Sequence, residues 1–331
     1  MELRRCIQAR GDRCSIINLT RHRQPEHDDL YFPSTPREVI ATLGRLRPDI
    51  VHVHFGGNLF ARQAALFIVL AARNHARNIF TFHSGGYPTS EEGLRASPRS
   101  LRGFALRRLD AVIGVNAQLV ETFRRYGVKP DKLHLIEPYA GGLERATVVQ
   151  EPLPDAIEAF VAAHHPFLLA VGLLEPEYGL DVQLDAFARV RPHHPNAGLV
   201  LIGSGSLHDA LRARIQTHPE RAHILLAGDV PRPKTLAAIA RADLLLRTTH
   251  YDGDALSVRE ALSLGTRVLA SNNGMRPDGV LLLDQVEATT LASAISAALA
   301  TGAPSGVRTA ATTRDPMVSL LNLYNDLMQK P

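Results

Sequence analysis

The feature that most constrains this chain is the alternation of short apolar runs with longer amphipathic stretches, sustained from Cys14 to Leu282. Apolar runs bounded by polar turns read as buried strands, and a 3.6-residue apolar period reads as helix. The first half offers strands at Cys14–Leu19, Ile50–His54, Ile79–His83, Ala111–Val115 and Leu133–Ile136. Helical patterns at Leu59–Arg73 and Gln118–Tyr126 lie between them, the second stopped by Gly127. The second half restarts with Phe167–Val171, Gly198–Ile202, His223–Leu226, Leu244–Leu246, Arg267–Ala270 and Val280–Leu282. Such alternation predicts an α/β protein whose parallel sheets grow from βα units. The Glu151-Pro152-Leu153-Pro154 break divides it into two doubly wound, Rossmann-like domains facing a cleft. Residues 1–150 form the first, residues 151–315 the second, and a helix within 316–331 is expected to return to the first. The chain opens on a helix, Glu2–Arg10 ended by Gly11, where a strand is expected.

Composition narrows the function. With 331 residues, 45% apolar and 21% charged, the chain is an ordinary globular protein long enough for two cores. Cys6 and Cys14 are its only cysteines, which excludes a disulfide framework and places it by default in the cytoplasm. The longest apolar run, Ala64–Ala72, is too short to span a bilayer. Charge is uneven: residues 1–150 carry 22 Lys and Arg against 14 Asp and Glu, the remainder 15 against 19. Arg95, Arg99, Arg102, Arg107 and Arg108 form the densest basic group, which reads either as a solvated helix face or as a contact for anionic surfaces. Few aromatics interleave with these arginines, so nucleic acid is not an expected partner.

The densest chemistry lies between Leu244 and Leu283. Leu244–Leu246 reads as a buried strand, Asp252-Gly253 as a turn, and Asp254 as the N-cap of a helix that ends at Gly265. Asp252 and Glu260 then flank a helix start at the carboxyl edge of a sheet, where open α/β sheets bind ligands and free N–H groups favour an anion. An anionic, hydroxyl-rich ligand such as a nucleotide sugar suits that arrangement.

In order along the chain, Asp49-Ile50-Val51-His52-Val53-His54, Thr81-Phe82-His83, Val171-Gly172, Gly203-Ser204-Gly205, Gly228-Asp229-Val230 and the Asp252…Glu260 pair resemble the retaining glycosyltransferases of family 4, which have the GT-B fold. The resemblance spans nearly the whole chain. It implies transfer of a sugar from a nucleotide diphosphate sugar to a glycan, lipid-linked or small-molecule acceptor, with retention of configuration and neither metal nor cofactor. Carried over by position, Glu260 would bind the ribose hydroxyls and Asp252 the sugar hydroxyls. Gly253, Asp254 and Ala255 would present backbone N–H groups. His83 would face the sugar, with Ser84, Gly85 and Gly86 on the acceptor side. Gly172, Gly203, Ser204 and Val230 would line the donor.

Four departures qualify the resemblance. Asp252 stands where the family usually has Glu. The Gly-Arg and Lys-Gly positions that clamp the diphosphate appear as Gly172-Leu173 and Tyr178-Gly179, leaving Arg247, Arg259 and Arg276 as candidate replacements. The first strand and its glycine-rich loop are missing before Glu2, and the family's Pro-Asn-Gly appears as Glu137-Pro138-Tyr139. These losses equally suit a non-catalytic sugar-nucleotide-binding or partner-binding relative. The basic first domain would make peripheral contact with an anionic membrane at its inner face.

Rival readings of the same residues are weaker. Asp252-Gly253-Asp254 mimics a metal-binding Asp-x-Asp, but two carboxylates at a helix start do not make a Mg²⁺ cage. His52, His54 and His83 lack a fourth zinc ligand. The Gly203-to-His208 loop lacks the third glycine of a dinucleotide fingerprint, and Ser257 lacks a nucleophile elbow.

Overall fold

The computed structural model describes residues 2–19, 29–56, 59, 61–73, 75–138, 143–250, 255–301 and 315–329. Its strands are β1 (Ile16–Ile17), β2 (Leu30–Tyr31), β3 (Ile50–Phe55), β4 (Arg77–Phe82), β5 (Ala111–Gly114), β6 (Leu133–Leu135), β7 (Phe167–Val171), β8 (Gly198–Ile202), β9 (Ile224–Gly228), β10 (Leu244–Arg247), β11 (Val268–Ser271) and β12 (Leu281–Leu283). All pair in parallel. They form a four-stranded sheet ordered β3-β4-β5-β6, a six-stranded sheet ordered β12-β11-β10-β7-β8-β9, and a separate pair β1-β2. β2 is too short to show in the sequence pattern, and β1 is a two-residue remnant of the expected Cys14–Leu19.

The strands of the second sheet are almost wholly apolar because helices cover both of its faces, whereas in the first sheet β3 carries His52 and His54 and β4 carries Arg77, Asn78 and Thr81. β8 and β10 are buried along their whole lengths. On one side of the second sheet, Leu168, Leu199 and Leu246 pack with helices Leu180–Val190 and Ala288–Ala300. On the other, Leu169, Val200 and Leu245 pack with helices Arg232–Arg241 and Leu256–Ser263. The first sheet buries Phe80, Phe82 and Phe123 on one face. Its other face takes Leu320, Leu323 and Leu327 of the C-terminal helix Pro316–Gln329 against Ile79, Ala111 and Ile113. The chain's last helix thus completes the first sheet's core.

Residues 143–153, before the second sheet, are held rather than loose. Ile136 packs with the first core and Leu143 with the second. Arg241 donates to the carbonyls of Val149 and Glu151, and Leu153 is buried.

Candidate functional site

Sheet order locates the site. From β7 the chain runs outward through β8 to β9, then returns to place β10 on the other side of β7. The crossovers after β7 and β10 therefore leave in opposite directions, and a crevice opens between the carboxyl ends of these two strands. Gly172 follows β7, Arg247 ends β10 and Thr248 follows it. A Cβ at Gly203 would overlap the Gly172 carbonyl oxygen, and Gly203 has φ +141°. Only glycine lets the two loops approach this closely.

The crevice floor is tightly bonded. Arg247, 8% exposed, donates to the Val171 carbonyl at 3.0 Å, and its guanidinium lies 4.6 Å from the Tyr178 ring centroid. Thr248 Oγ1 donates to the Tyr178 carbonyl at 2.8 Å and accepts from Gln183 Nε2 at 2.8 Å. Gly179, at φ +61°, lets the turn pass against Thr248. Glu175 accepts from Ser206 N at 2.9 Å and from the Ser206 hydroxyl, tying the loop after β7 to the loop after β8. These hydrogen bonds hold the exposed Glu175 carboxyl below the ordinary range. Leu173 is 55% exposed. Ser204 is exposed beside it, and half-buried Val230 packs beneath the loop after β9.

Glu260 is a second buried charge besides Arg247. It lies on helix Leu256–Ser263 with its side chain 7% exposed, and Arg232 Nη2 donates to Oε1 at 2.6 Å. Burial raises its pKa above the ordinary 4.5, against the opposing pull of Arg232. Its other oxygen has no hydrogen-bond donor among the described residues. Arg232 opens helix Arg232–Arg241 immediately after Pro231, at the positive end of the helix dipole. A cation is disfavoured there unless a carboxylate compensates it, and that anomaly was the available sequence signal for this unforeseen partner.

Helix Leu256–Ser263 begins one residue later than expected. Ala255 takes the N-cap position, in place of Asp254, and makes no side-chain cap; the helix closes at Gly265, φ +72°. Ala255 is buried. Asp252, Gly253 and Asp254 lie outside the described residues. Arg259 forms an ion pair with Glu137 at 3.0 Å, joining the segment after β6 to helix Leu256–Ser263. Arg276 donates to the Ser271 carbonyl at 3.0 Å and to Thr249 Oγ1 at 3.0 Å. Two of the three candidate clamp arginines, Arg247 and Arg276, thus gather at the carboxyl ends of β10 and β11.

On the first sheet, His83 follows β4 and extends the ladder by donating its N–H to the Phe55 carbonyl at 2.8 Å. His83 Nε2 meets His54 Nδ1 at 3.2 Å, and the two rings stack at 5.5 Å. His52 is held at both nitrogens, by Tyr324 Oη at 2.5 Å and Thr81 Oγ1 at 2.7 Å. Its nitrogens are therefore committed to structure. No group of three or more His, Cys, Asp or Glu is arranged for a metal among the described residues. Burial lowers all three histidines: His52 well below 6.5, His54 to about 4 with the His83 charge adding to the effect, and His83 by burial. At neutral pH the cluster is uncharged, so His83 offers a neutral imidazole. Ser84 and Gly86 bracket buried Gly85 in the turn beyond it, and Tyr87 N returns to the Ser84 carbonyl at 3.3 Å. Tyr324, from the C-terminal helix, was not foreseen, since nothing in the sequence pairs a distant tyrosine with β3.

Comparison with known proteins decides the family. Residues 158–301 match Glycosyl transferases group 1, and residues 1–138 match Glycosyltransferase Family 4. The chain belongs to this glycosyltransferase family. Its two facing parallel-sheet domains have the GT-B fold.

Glycogen synthase of Mycobacterium tuberculosis is 28% identical over 244 residues, covering 71% of this chain and 55% of that protein. A GDP-mannose-dependent alpha-(1-6)-phosphatidylinositol monomannoside mannosyltransferase of Mycolicibacterium smegmatis is 25% identical over 141 residues, 39% of this chain and 37% of that one. The chain thus matches about half or less of the length of these curated relatives. Anabaena Alr3699/HepE in complex with UDP superposes with TM-score 0.64 at 15% identity, covering 88% of this chain and 80% of that one. The UDP-forming alpha,alpha-trehalose-phosphate synthase of Burkholderia xenovorans, in complex with glucose-6-phosphate, gives 0.64 at 19%, covering 88% and 76%. At such identity these structures speak for the fold alone.

Proposed function

We propose that the protein is a retaining hexosyltransferase that moves a sugar from a nucleotide diphosphate sugar to a hydroxyl of a glycan, lipid-linked or small-molecule acceptor. The carrying observation is the buried Glu260 carboxylate beside the β7/β10 crevice, with one oxygen held by Arg232 and the other free of described donors. Vicinal ribose hydroxyls match that acceptor pair. Glycogen synthase and the GDP-mannose-dependent enzyme among the relatives support a nucleotide-sugar donor carrying a hexose.

In this reading the second domain binds the donor. Gly172, Gly203, Ser204 and Val230 line it, and Arg247 and Arg276 supply positive charge toward the pyrophosphate, while Arg259 is paired with Glu137. Asp252 takes the sugar hydroxyls, and the N–H groups of Gly253, Asp254 and Ala255 stabilise charge growing on the leaving phosphate. His83 approaches the sugar from the first domain as a neutral hydrogen-bonding group, with Ser84, Gly85 and Gly86 toward the acceptor. The acceptor oxygen attacks the anomeric carbon on the face that the phosphate leaves, and the departing phosphate oxygen takes the acceptor proton. Configuration is retained and no metal takes part. We place the reaction in the cytoplasm, which suits the free thiols of Cys6 and Cys14.

Incubation with UDP-, GDP-, ADP- and dTDP-hexoses should release nucleoside diphosphate with one of them, and an α-linked donor should give an α-linked product by NMR. An inverted product overturns the retaining assignment. A second reading has its own support: Leu173 and Tyr178 occupy the two clamp positions, and the Tyr178 ring covers Gly172. Tight donor binding with no release of nucleotide would favour a non-catalytic relative.

A further inference from the structure

The stretch Leu94–Leu109 of the first domain holds five arginines and no acidic residue. Three of its large apolar side chains are turned to solvent: Leu94 is 65% exposed, Leu101 49% and Phe104 39%. The helix Leu101–Leu106 explains this orientation. Ser100 caps it by accepting from Gly103 N at 3.1 Å, and its inner face of Gly103, Ala105 and Leu106 is buried. A Cβ at Gly103 would meet the carbonyls of Ser97 and Tyr126, so the inner face sits against backbone and cannot rotate outward.

Leu101, Phe104 and Arg108 then form an outward row at spacings of three and four. Arg108 lies with its guanidinium carbon 3.4 Å from the Phe104 ring centroid and donates to the Phe104 carbonyl. Arg95 and Arg99 are exposed beside this row. The flanking carboxylates in sequence are Glu91, paired with Arg95, Glu92, and Asp110, which lies beside Arg77 and accepts from Asn78 N at 2.7 Å. Arg102 and Arg107 turn inward to the carbonyls of Leu59 and Pro98, bracing the helix without losing their charge.

We propose that Leu94, Leu101 and Phe104, flanked by Arg95, Arg99 and Arg108, form a surface that docks the protein on an anionic lipid bilayer. Apolar tips ringed by arginine stems suit the boundary between headgroups and acyl chains, where the tips enter hydrocarbon and the guanidinium groups meet phosphates. A protein partner would have to match a basic rim in which Arg95 pairs with Glu91 while Arg99 and Arg108 form no ion pair among the described residues. Single-stranded nucleic acid needs an open aromatic face for stacking, and Arg108 covers that of Phe104. No helix among the described residues is long and apolar enough to cross a membrane, so the contact is peripheral. The surface is rigidly joined to the His83 turn: Tyr87 Oη bonds Tyr126 Oη at 2.7 Å, and Tyr126 Oη donates to the Glu92 carbonyl at 3.0 Å. The proposal stands apart from the donor assignment, because docking is measured without any sugar.

The test is flotation of the full chain with vesicles of equimolar phosphatidylglycerol and phosphatidylcholine, and with phosphatidylcholine alone. Binding to the anionic vesicles only, weakened by 0.5 M salt, is the expected result. Arg99→Gln with Arg108→Gln should lower partition about thirtyfold, from the typical contribution of each basic residue near such a surface. Leu101→Ser with Phe104→Ser should lower it at least tenfold. Both pairs are exposed, and melting curves should match the parent's. Absence of binding to anionic vesicles, or binding unchanged in both variants, overturns the proposal. Self-association that the Leu101 and Phe104 changes abolish, without vesicle binding, overturns it in favour of a second copy of the chain.

Discussion

Replacing Glu260 by Gln tests the proposed donor role apart from any role in the fold, because the two roles carry different energies. The carboxylate is 7% exposed, whereas its partner Arg232 is 59% exposed. Loss of the pair returns Arg232 to water at little cost, and removal of a buried charge relieves the desolvation that raises the Glu260 pKa. The stability change should therefore stay within about 1 kcal/mol, or roughly 2–4 °C in melting temperature. Donor binding is another matter. Two hydroxyls on a carboxylate make charge-assisted hydrogen bonds of about 1.5–3 kcal/mol each, and Gln keeps one neutral acceptor. A loss of roughly 2–4 kcal/mol corresponds to about thirtyfold to a thousandfold in Kd. Titration calorimetry with the nucleoside diphosphate, beside thermal melting, reads both quantities. In the parent, donor binding needs the ionised carboxylate, so affinity is full above the Glu260 pKa and falls as pH drops through it, at a midpoint above 4.5. A Gln variant that keeps donor affinity but melts 8 °C or more lower would refute the reasoning and make Glu260 a structural residue.

Three further outcomes follow from particular contacts. Gly203→Ala sets a methyl against the Gly172 carbonyl at φ +141° and should cost about 3 kcal/mol or more in urea unfolding; Gly274→Ala, at φ +72° with open space around it, should cost only about 1–2 kcal/mol. Tyr324→Phe removes the hydroxyl at His52 Nδ1 and should destabilise by about 1–2 kcal/mol, and a neutral result would show that water replaces that hydroxyl. His54 has its folded pKa lowered to about 4, so its contribution to stability is full above about 6.5, declines as pH falls through that window, and flattens below about 4; His54→Asn should remove that part of the slope in unfolding midpoints measured across the range.

The βα alternation was legible because parallel strands buried on both faces must be continuously apolar; β7 and β8 coincide with the runs Phe167–Val171 and Gly198–Ile202. The pair β1–β2 was not, since strands of two residues leave no pattern. Glu260 stood out through its spacing from Asp252, yet its partner Arg232 did not, because pairing across 28 residues depends on how two helices pack. Local chemistry suggested Asp254 as a cap, and the fold put buried Ala255 there, packed against the second core. Tyr178 showed a missing lysine in the sequence; only the structure shows its ring laid against Arg247, itself bonded to Val171. The histidine pair on β3 was visible as one face of a strand, but its closure by Tyr324 comes from a helix at the far end of the chain.

The central claim is that a nucleotide diphosphate sits at the carboxyl edge of β7 and β10 with its ribose on Glu260. A crystal structure of the protein with UDP or GDP tests it most directly. The account predicts both ribose hydroxyls within hydrogen-bond distance of the Glu260 carboxylate and the pyrophosphate over the start of helix Leu256–Ser263. Nucleotide bound to the first sheet, or Glu260 still paired with Arg232 and apart from the ligand, would contradict it.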